Sequence, residues 1–316
     1  MAQSNKIVCV VGPTACGKTR LGVELARRFD GEVVSADSMQ IYRGMAIGTA
    51  APTEAEMNGV PHHMVGVADP REPYSAARFV EEATACVDDI LARGRLPIVV
   101  GGTGLYLDAL VSGRRFAAGS SESPTRRALQ ARRDSEGIEA LYAELGRIDP
   151  AAAARLHLKD EKRILRALEI YYETGQTITE HDAQSRLQPP RYQAVYIGLS
   201  FEDRADLRTL IDARVDAMMA AGLADEVRAL LDAGVDRHST ALQAIGYKEL
   251  LSALNGERSL EEAAEEIKLR SRQYAKRQLT WLRRNKAIRW ILWKKERDFP
   301  RAIQISTEIL LSEGLG

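Results

Sequence analysis

One eight-residue stretch, Gly12-Pro13-Thr14-Ala15-Cys16-Gly17-Lys18-Thr19, constrains this chain more than anything else in it. It fits the pattern G-x-x-x-x-G-K-[ST]. The apolar, β-branched run Ile7–Val11 precedes it, and from Thr19 to Phe29 apolar residues recur at Leu21, Leu25, Ala26 and Phe29 with helical spacing. Strand, loop and helix in that order make a phosphate cradle. The glycines let backbone amides approach anionic oxygens, and the helix presents its positive end. Lys18 adds a point charge, and the Thr19 hydroxyl is placed to ligate magnesium. A di- or triphosphate is therefore expected on Gly12, Pro13, Thr14, Ala15, Cys16, Gly17, Lys18 and Thr19. Most such loops are nucleotide-binding and split ATP or GTP.

Two more short buried strands are expected at Glu32–Ala36 and Leu96–Val100, the second running into Gly101-Gly102-Thr103-Gly104 and a helical LYLDAL. Strands alternating with helices predict an α/β fold, a P-loop NTPase-like, mostly parallel sheet flanked by helices. After about Phe116 the texture changes to short helix-like pieces rich in Ala, Arg and Glu, with no convincing strand until Gln193–Leu199. The organisation predicted is a catalytic core of residues 1–116 and 193–316, finishing in amphipathic helices, and a small all-helical insertion over 117–192. A chain of 316 residues with 45% hydrophobic residues is long enough to bury such a core. No run of about eighteen apolar residues suggests a membrane span. The opening MAQSNK lacks the apolar core of a signal peptide, so a cytoplasmic protein is expected. Cys9, Cys16 and Cys86 have neither disulfide nor zinc-site spacing. Adjacent His62 and His63 point apart, with no third ligand spaced nearby, and are read as structural or substrate-lining.

Formal net charge is zero, but it is unevenly spread. Residues 268–301 hold 13 Lys and Arg against Glu296 and Asp298, which leaves 31 basic and 42 acidic residues elsewhere. That end carries a concentrated positive field. Within it, Leu260, Ala264, Ile267, Tyr274 and Trp281 recur at spacings expected of a buried helical stripe, while Arg270, Gln273, Arg277 and Arg284 share another face.

A phosphoryl-transferring loop protein would also carry an apolar strand ending in a metal-binding Asp. Pro97–Val100 ends in Gly-Gly instead. The strand-end acid nearest the loop in sequence is Asp37 in VVSADSMQIY. At the carboxyl edge of a sheet it would face the ligand crevice and could accept a proton from a nucleophile. An aspartate that only caps a turn fits the same position.

Seven segments together are more specific than the loop: GPTACGKT, ADSMQIYRGMAIGTA, PHH at 61–63, VGGTGLY at 100–106, KRILRALE at 162–169, QAIGYKEL at 243–250 and RQYAKRQLTW at 272–281. In that order, from residue 7 to beyond 285, they resemble the successive signatures of the bacterial tRNA dimethylallyltransferases. The resemblance implies transfer of a dimethylallyl group from dimethylallyl diphosphate to the exocyclic amine of the adenine 3′-adjacent to the anticodon, in tRNAs that read codons beginning with U. Diphosphate is then the leaving group, so the loop with Lys18 and a Thr19-bound Mg2+ would stabilise its growing charge. Asp37 becomes the base and Thr103 a neighbour of the reacting centre. Arg214 is a candidate clamp on the diphosphate, beside its reading as a structural arginine. The tRNA anticodon stem-loop would be met by Asp37, Ser38, Met39 and Gln40 at the sheet edge. In the insertion it would be met by Arg127, Lys162, Arg163, Ile164, Leu165 and Arg166, with Arg126, Arg132 and Arg133 as further cations, and at the basic end by Arg270, Gln273, Arg277 and Arg284. A monomer is expected. Where the family usually has Asp, Lys, Asp, Gln and often Ser, this chain has Ala46, Ala51, Gly66, Lys162 and Cys16, which touches fine contacts and none of the reacting groups. The rival reading is a small-molecule P-loop kinase, which could use the loop and Asp37 but has no use for the basic end.

Overall fold

The computed structural model describes residues 5–114, 116, 123–187 and 189–315. It has β1 (Lys6–Val11), β2 (Gly31–Ala36), β3 (His62–His63), β4 (Leu96–Gly101), β5 (Gln193–Phe201) and β6 (Arg289–Trp293). They form one sheet in the order β3-β2-β4-β1-β5-β6, every pairing parallel. In β1 the side chains alternate between two cores: Ile7, Cys9 and Val11 enter one, Val8 and Val10 the other. Burial on both faces is why β1, β2, β4 and β5 read as continuous apolar runs. Two strands were not expected. β3 is only two residues long, and β6, RWILW, lies in the cationic segment read as helical.

The chain divides into two compact units, Met1–Gly113 with Arg191–Gly316, and Arg114–Pro190. In the second, helices Pro124–Glu136, Ile138–Ile148, Pro150–Arg155, Glu161–Thr174 and Ile178–Leu187 surround a core of their own that includes Leu129, Leu141, Leu145, Ile164, Leu165 and Leu168. Residue 117, where the sequence reading starts the insertion, lies outside the described residues.

At the start of β2, Glu32 is 2% exposed, an unusual place for a carboxylate. Arg93 donates to both of its oxygens, Arg95 donates at 2.7 Å, and His63 Nε2 lies 2.7 Å away. The hydrogen bonds from Arg93, and then those from Arg95 and His63, hold the carboxyl well below the usual carboxylate range against the cost of burial. This pins β3 and the turn before β4 to β2, and it places His63 in an ion cluster. Glu32→Gln should therefore cost about 1–3 kcal/mol at pH 7, discounted because the arginines are partly solvated. A depressed folded pKa gives stability that is full above the unfolded value of about 4.3 and is lost as pH falls toward the folded one. The gap between native and variant in denaturant melts should thus shrink below about pH 4, by roughly 1.4 kcal/mol per pH unit. A gap independent of pH would mean that packing, and no charge, sets it.

Candidate active site

Three adjacent strands, β1, β4 and β2, end at the same edge and deliver the phosphate loop, the Gly101-Gly102-Thr103 turn and Asp37 side by side. This is the ligand crevice of an open parallel sheet. Helix Lys18–Arg28 starts at Gly17, whose φ of 94° is left-handed, with no side-chain cap and no acid in the first turn. Its first amides are thus left for an anion. Lys18 Nζ donates to Pro13 O at 2.8 Å, which curls the ammonium over the loop. Pro13 has no N–H to offer a phosphate, so its part is to place the lysine. Cys16 is buried, burial pushes its thiol up, and its carbonyl accepts from Trp293 Nε1 at 2.9 Å. Any contact from Cys16 to an anion is therefore through its backbone.

Asp37 takes both positions that the sequence left open. Its Oδ1 accepts from Met39 N at 2.9 Å, the turn bond, and the residue also lines a cavity of about 340 Å3 with Thr14, Lys18 and Thr19. Thr103 Oγ1 accepts from Ser38 N at 3.2 Å, which ties the second turn to the first. Gln40, half-buried on the cavity, has its amide hydrogen-bonded within the protein. Its Oε1 accepts from Ser35 Oγ at 2.9 Å, and its Nε2 donates to the carbonyls of Thr49 and Ala50 at 3.3 and 3.1 Å. Expected among the RNA contacts, it lines the cavity with Asp37, Ser38 and Met39 while its amide holds the 46–50 loop.

That loop carries a wall of the cavity. Glu226 accepts from Ile47 N, Gly48 N and Tyr247 OH at 2.8, 3.1 and 2.5 Å, and so fixes the short helix Ala46–Thr49. Thr49 O then accepts from Arg214 Nη2 at 3.3 Å. Burial lowers the Arg214 pKa from its ordinary value, and the Asp37 charge opposes that shift. An arginine stays cationic there. It lines the same cavity as Lys18, as a diphosphate clamp requires.

One face of helix Leu260–Leu282 also lines the cavity. Ion pairs Arg272–Asp212 at 2.6 Å and Lys268–Asp216 at 2.7 Å set it antiparallel to helix Arg204–Ala220. Sequence reasoning missed the residue that matters most there. Gln278, 5% exposed, accepts from Thr14 N at 2.9 Å and donates to Gly102 O at 3.1 Å, stapling the phosphate loop to the second turn. A Cβ on Gly102 would stand 2.2 Å from Gln278 Nε2, so this turn needs glycine. Gln273, chosen from the same motif, is exposed. Tyr274 hydrogen-bonds with Thr103 and Gln278, and burial pushes its phenol up to about 12, which keeps it neutral.

The expected buried stripe on this helix is rotated. Ala263, Ile267, Ala275, Gln278, Leu279 and Leu282 are buried, whereas Leu260 and Trp281 are exposed. The helix packs on three others, Arg204–Ala220, Tyr247–Leu254 and Gly104–Ser112, so its buried arc does not follow a single period. Of the cationic face, Arg270 pairs with Glu266 at 3.0 Å, Arg277 lines the cavity, and Arg284 lies on the surface. In the second unit, Ile164 and Leu165 are 0% and 2% exposed in its core, which corrects their place among RNA-contacting side chains. Arg127, Lys162 and Arg163 are exposed; Arg163 lies 3.9 Å from Asp160, and Arg166 donates to Glu169 at 2.8 Å. Arg126, Arg132 and Arg133 all have carboxylate partners.

Among the described residues no group of three His, Cys, Asp or Glu could hold a metal, and no helix is long and apolar enough to cross a membrane. Residues 40–285 match the IPP transferase family, and residues 5–65 match the isopentenyl transferases. Similar curated proteins include the tRNA dimethylallyltransferases of Acetivibrio thermocellus, 44% identical over 91% of each chain, and of Geobacillus thermodenitrificans, 48% identical over 91% of this chain and 90% of the relative. Among solved structures, the full-length tRNA isopentenylpyrophosphate transferase of Bacillus halodurans is 42% identical, covers 98% of both chains and superposes with a TM-score of 0.72. A eukaryotic dimethylallyltransferase acting on tRNA is 32% identical, over 98% of this chain and 80% of its own, with a TM-score of 0.84.

Proposed function

The chain belongs to the IPP transferase family and is a tRNA dimethylallyltransferase, and from that premise we infer how its own residues carry the reaction. The acceptor is the exocyclic amine of the adenine 3′-adjacent to the anticodon, in tRNAs reading codons that begin with U. The observation that carries this reading is the convergence of Lys18, Thr19, Asp37 and Arg214 on one cavity walled by the 260–282 helix.

Dimethylallyl diphosphate lies with its diphosphate on the loop amides, Lys18 and Arg214. The bond between the allylic carbon and the diphosphate oxygen breaks, and the electron pair leaves with diphosphate. A bond forms between that carbon and the adenine nitrogen, and Asp37 takes the proton the nitrogen must lose. Cationic donors are worth most where charge grows, on the departing oxygens. The Thr19 hydroxyl, on the cavity beside Lys18, suits a Mg2+ ion bound mainly by phosphate oxygens and water, which is how this ion usually binds, and no carboxylate cage competes for it among the described residues. When bound, the ion would supply charge neutralisation to the leaving group. The adenine leaves its stack to reach the crevice, which costs less in an anticodon loop than in a duplex. The insertion is assigned to gripping the anticodon arm through the exposed Arg127, Lys162 and Arg163, and the basic end is assigned phosphate contacts of its own through Arg277 and Arg284.

Incubation with labelled dimethylallyl diphosphate and magnesium tests this. Label should enter unmodified tRNA with release of diphosphate, and ATP should not turn over without tRNA. Label in AMP but not in tRNA would overturn it.

A further inference from the structure

The sequence pattern predicts a buried Trp281, but the residue is 38% exposed. Its Nε1 donates to Asp108 Oδ2 at 2.8 Å. Its pyrrole edge lies so close to Gly104 that a Cβ there would stand 2.1 Å from Trp281 Cδ1. The second Gly-rich turn thus spends a glycine on seating an aromatic ring that packing alone would have buried. Around the ring, Gln273, Lys276, Arg277, Thr280 and Arg284 are all exposed on the outer face of this one helix and the turn that ends it. Arg277 lines the reaction cavity as well, so this face borders the cavity. Arg284 stands over the indole at 5.3 Å from its centroid, but it is exposed and can move onto a phosphate, leaving the ring to another planar group.

An apolar π-face held edge-on by a hydrogen bond, among three cations and next to a cavity that takes a flipped base, has the chemistry of a single-strand platform. Side chains that only position phosphates need no ring, and a ring that only packs needs no cations. We propose that Trp281 stacks an unpaired base of the RNA loop adjacent to the flipped adenine, while Lys276, Arg277 and Arg284 hold the phosphates on either side. The proposal rests on the tRNA-modifying reading above and adds to it a binding subsite for one neighbouring base. Stacking on Trp281 offsets part of the cost of unstacking the target, because the neighbour exchanges one aromatic face for another. Trp281 is a positioning residue and touches no reacting atom.

The test is a double-mutant cycle between protein and RNA, on the full chain. Anticodon stem-loops carrying an abasic nucleotide at each loop position flanking the target are titrated against the native protein, Trp281→Leu and Trp281→Phe. At one position, loss of the base should weaken binding to native protein by roughly 10- to 100-fold, the scale of one stacked base. Trp281→Leu should weaken binding of the intact stem-loop by a similar factor and be nearly insensitive to the same abasic site. Trp281→Phe, which keeps a ring, should recover most of the affinity. Salt dependence should be the same in all three, since no cation is removed. Losses that multiply independently, or Trp281→Leu binding the intact loop as well as native protein, overturn the proposal. Native protein that binds the stem-loop but transfers no label to it would sink the reading of the reaction and leave the stacking measurement to stand by itself. If Trp281→Leu does not fold, sensitivity to the abasic site in native protein against Trp281→Phe decides: no sensitive position in native protein overturns the proposal.

Discussion

Asp37→Asn should lower single-turnover transfer by roughly 10²–10⁴-fold, the range for loss of a positioned general base, while leaving the fold and tRNA affinity nearly unchanged. The geometry makes the substitution clean. Asp37 Oδ1 accepts from Met39 N, and an asparagine carbonyl oxygen can accept the same bond, so the turn after β2 survives. The Ser38–Thr103 bond does not involve the carboxylate and also survives. What disappears is the capacity to take a proton. The amine of adenine is a poor nucleophile, because its lone pair is delocalised into the ring, and the nitrogen becomes strongly acidic as the new bond forms. A base in place at that moment lowers the barrier; one in bulk water arrives too late. The measurement is rapid mixing of enzyme in excess over labelled donor and tRNA, beside a thermal melt and a tRNA titration. A loss confined to the chemical step with affinity unchanged marks an interaction made in the transition state. A near-native single-turnover rate would reduce Asp37 to the turn residue that its bond to Met39 already shows it to be.

Much of this site was legible before any coordinates, and the reason is local. The phosphate loop is contiguous, and its strand and helix flank it, so one window of sequence holds the whole device. Asp37 was legible because a buried strand ends just before it. Gln278 was not, because its partners Thr14 and Gly102 lie 264 and 176 residues away, and a glutamine on a helix gives no local sign that its amide is destined for two loops. Glu226 was missed for the same reason: its partners Ile47 and Gly48 are 179 and 178 residues off. In the fold, the four long strands showed themselves by apolar runs buried on both faces. β6 was hidden because its charged surroundings and amphipathic spacing favour a helical reading, and its parallel pairing with β5 is a non-local fact. Trp281 escapes a helical period because that period assumes one buried face, and this helix has a core side, a cavity side and an exposed cationic side.

Lys18→Met should lower the single-turnover rate by about 10²–10³-fold, the scale for removing one donor aimed at developing negative charge. Methionine has nearly the length of the lysine stem without its charge, so the helix start at Gly17 and the fold should persist. The side chain now hangs from Pro13 O at 2.8 Å above the loop, a contact that orients the ammonium and is lost without consequence for the core. Two effects must be separated. Lysine binds the diphosphate of the intact donor, and it binds the freed diphosphate, which carries more charge. If both are stabilised equally, the substitution weakens donor binding and leaves the rate at saturating donor untouched, because uniform binding does not accelerate the chemical step. If the growing charge is what Lys18 answers, the rate at saturation falls and affinity for inorganic diphosphate falls further than affinity for dimethylallyl diphosphate. The two titrations and one saturated single turnover discriminate these cases. The second is expected, because Lys18, Arg214 and the uncapped helix start face the cavity where bond breaking at carbon leaves its charge. A full rate at saturation with weakened donor binding would assign that charge to Arg214 and the loop amides.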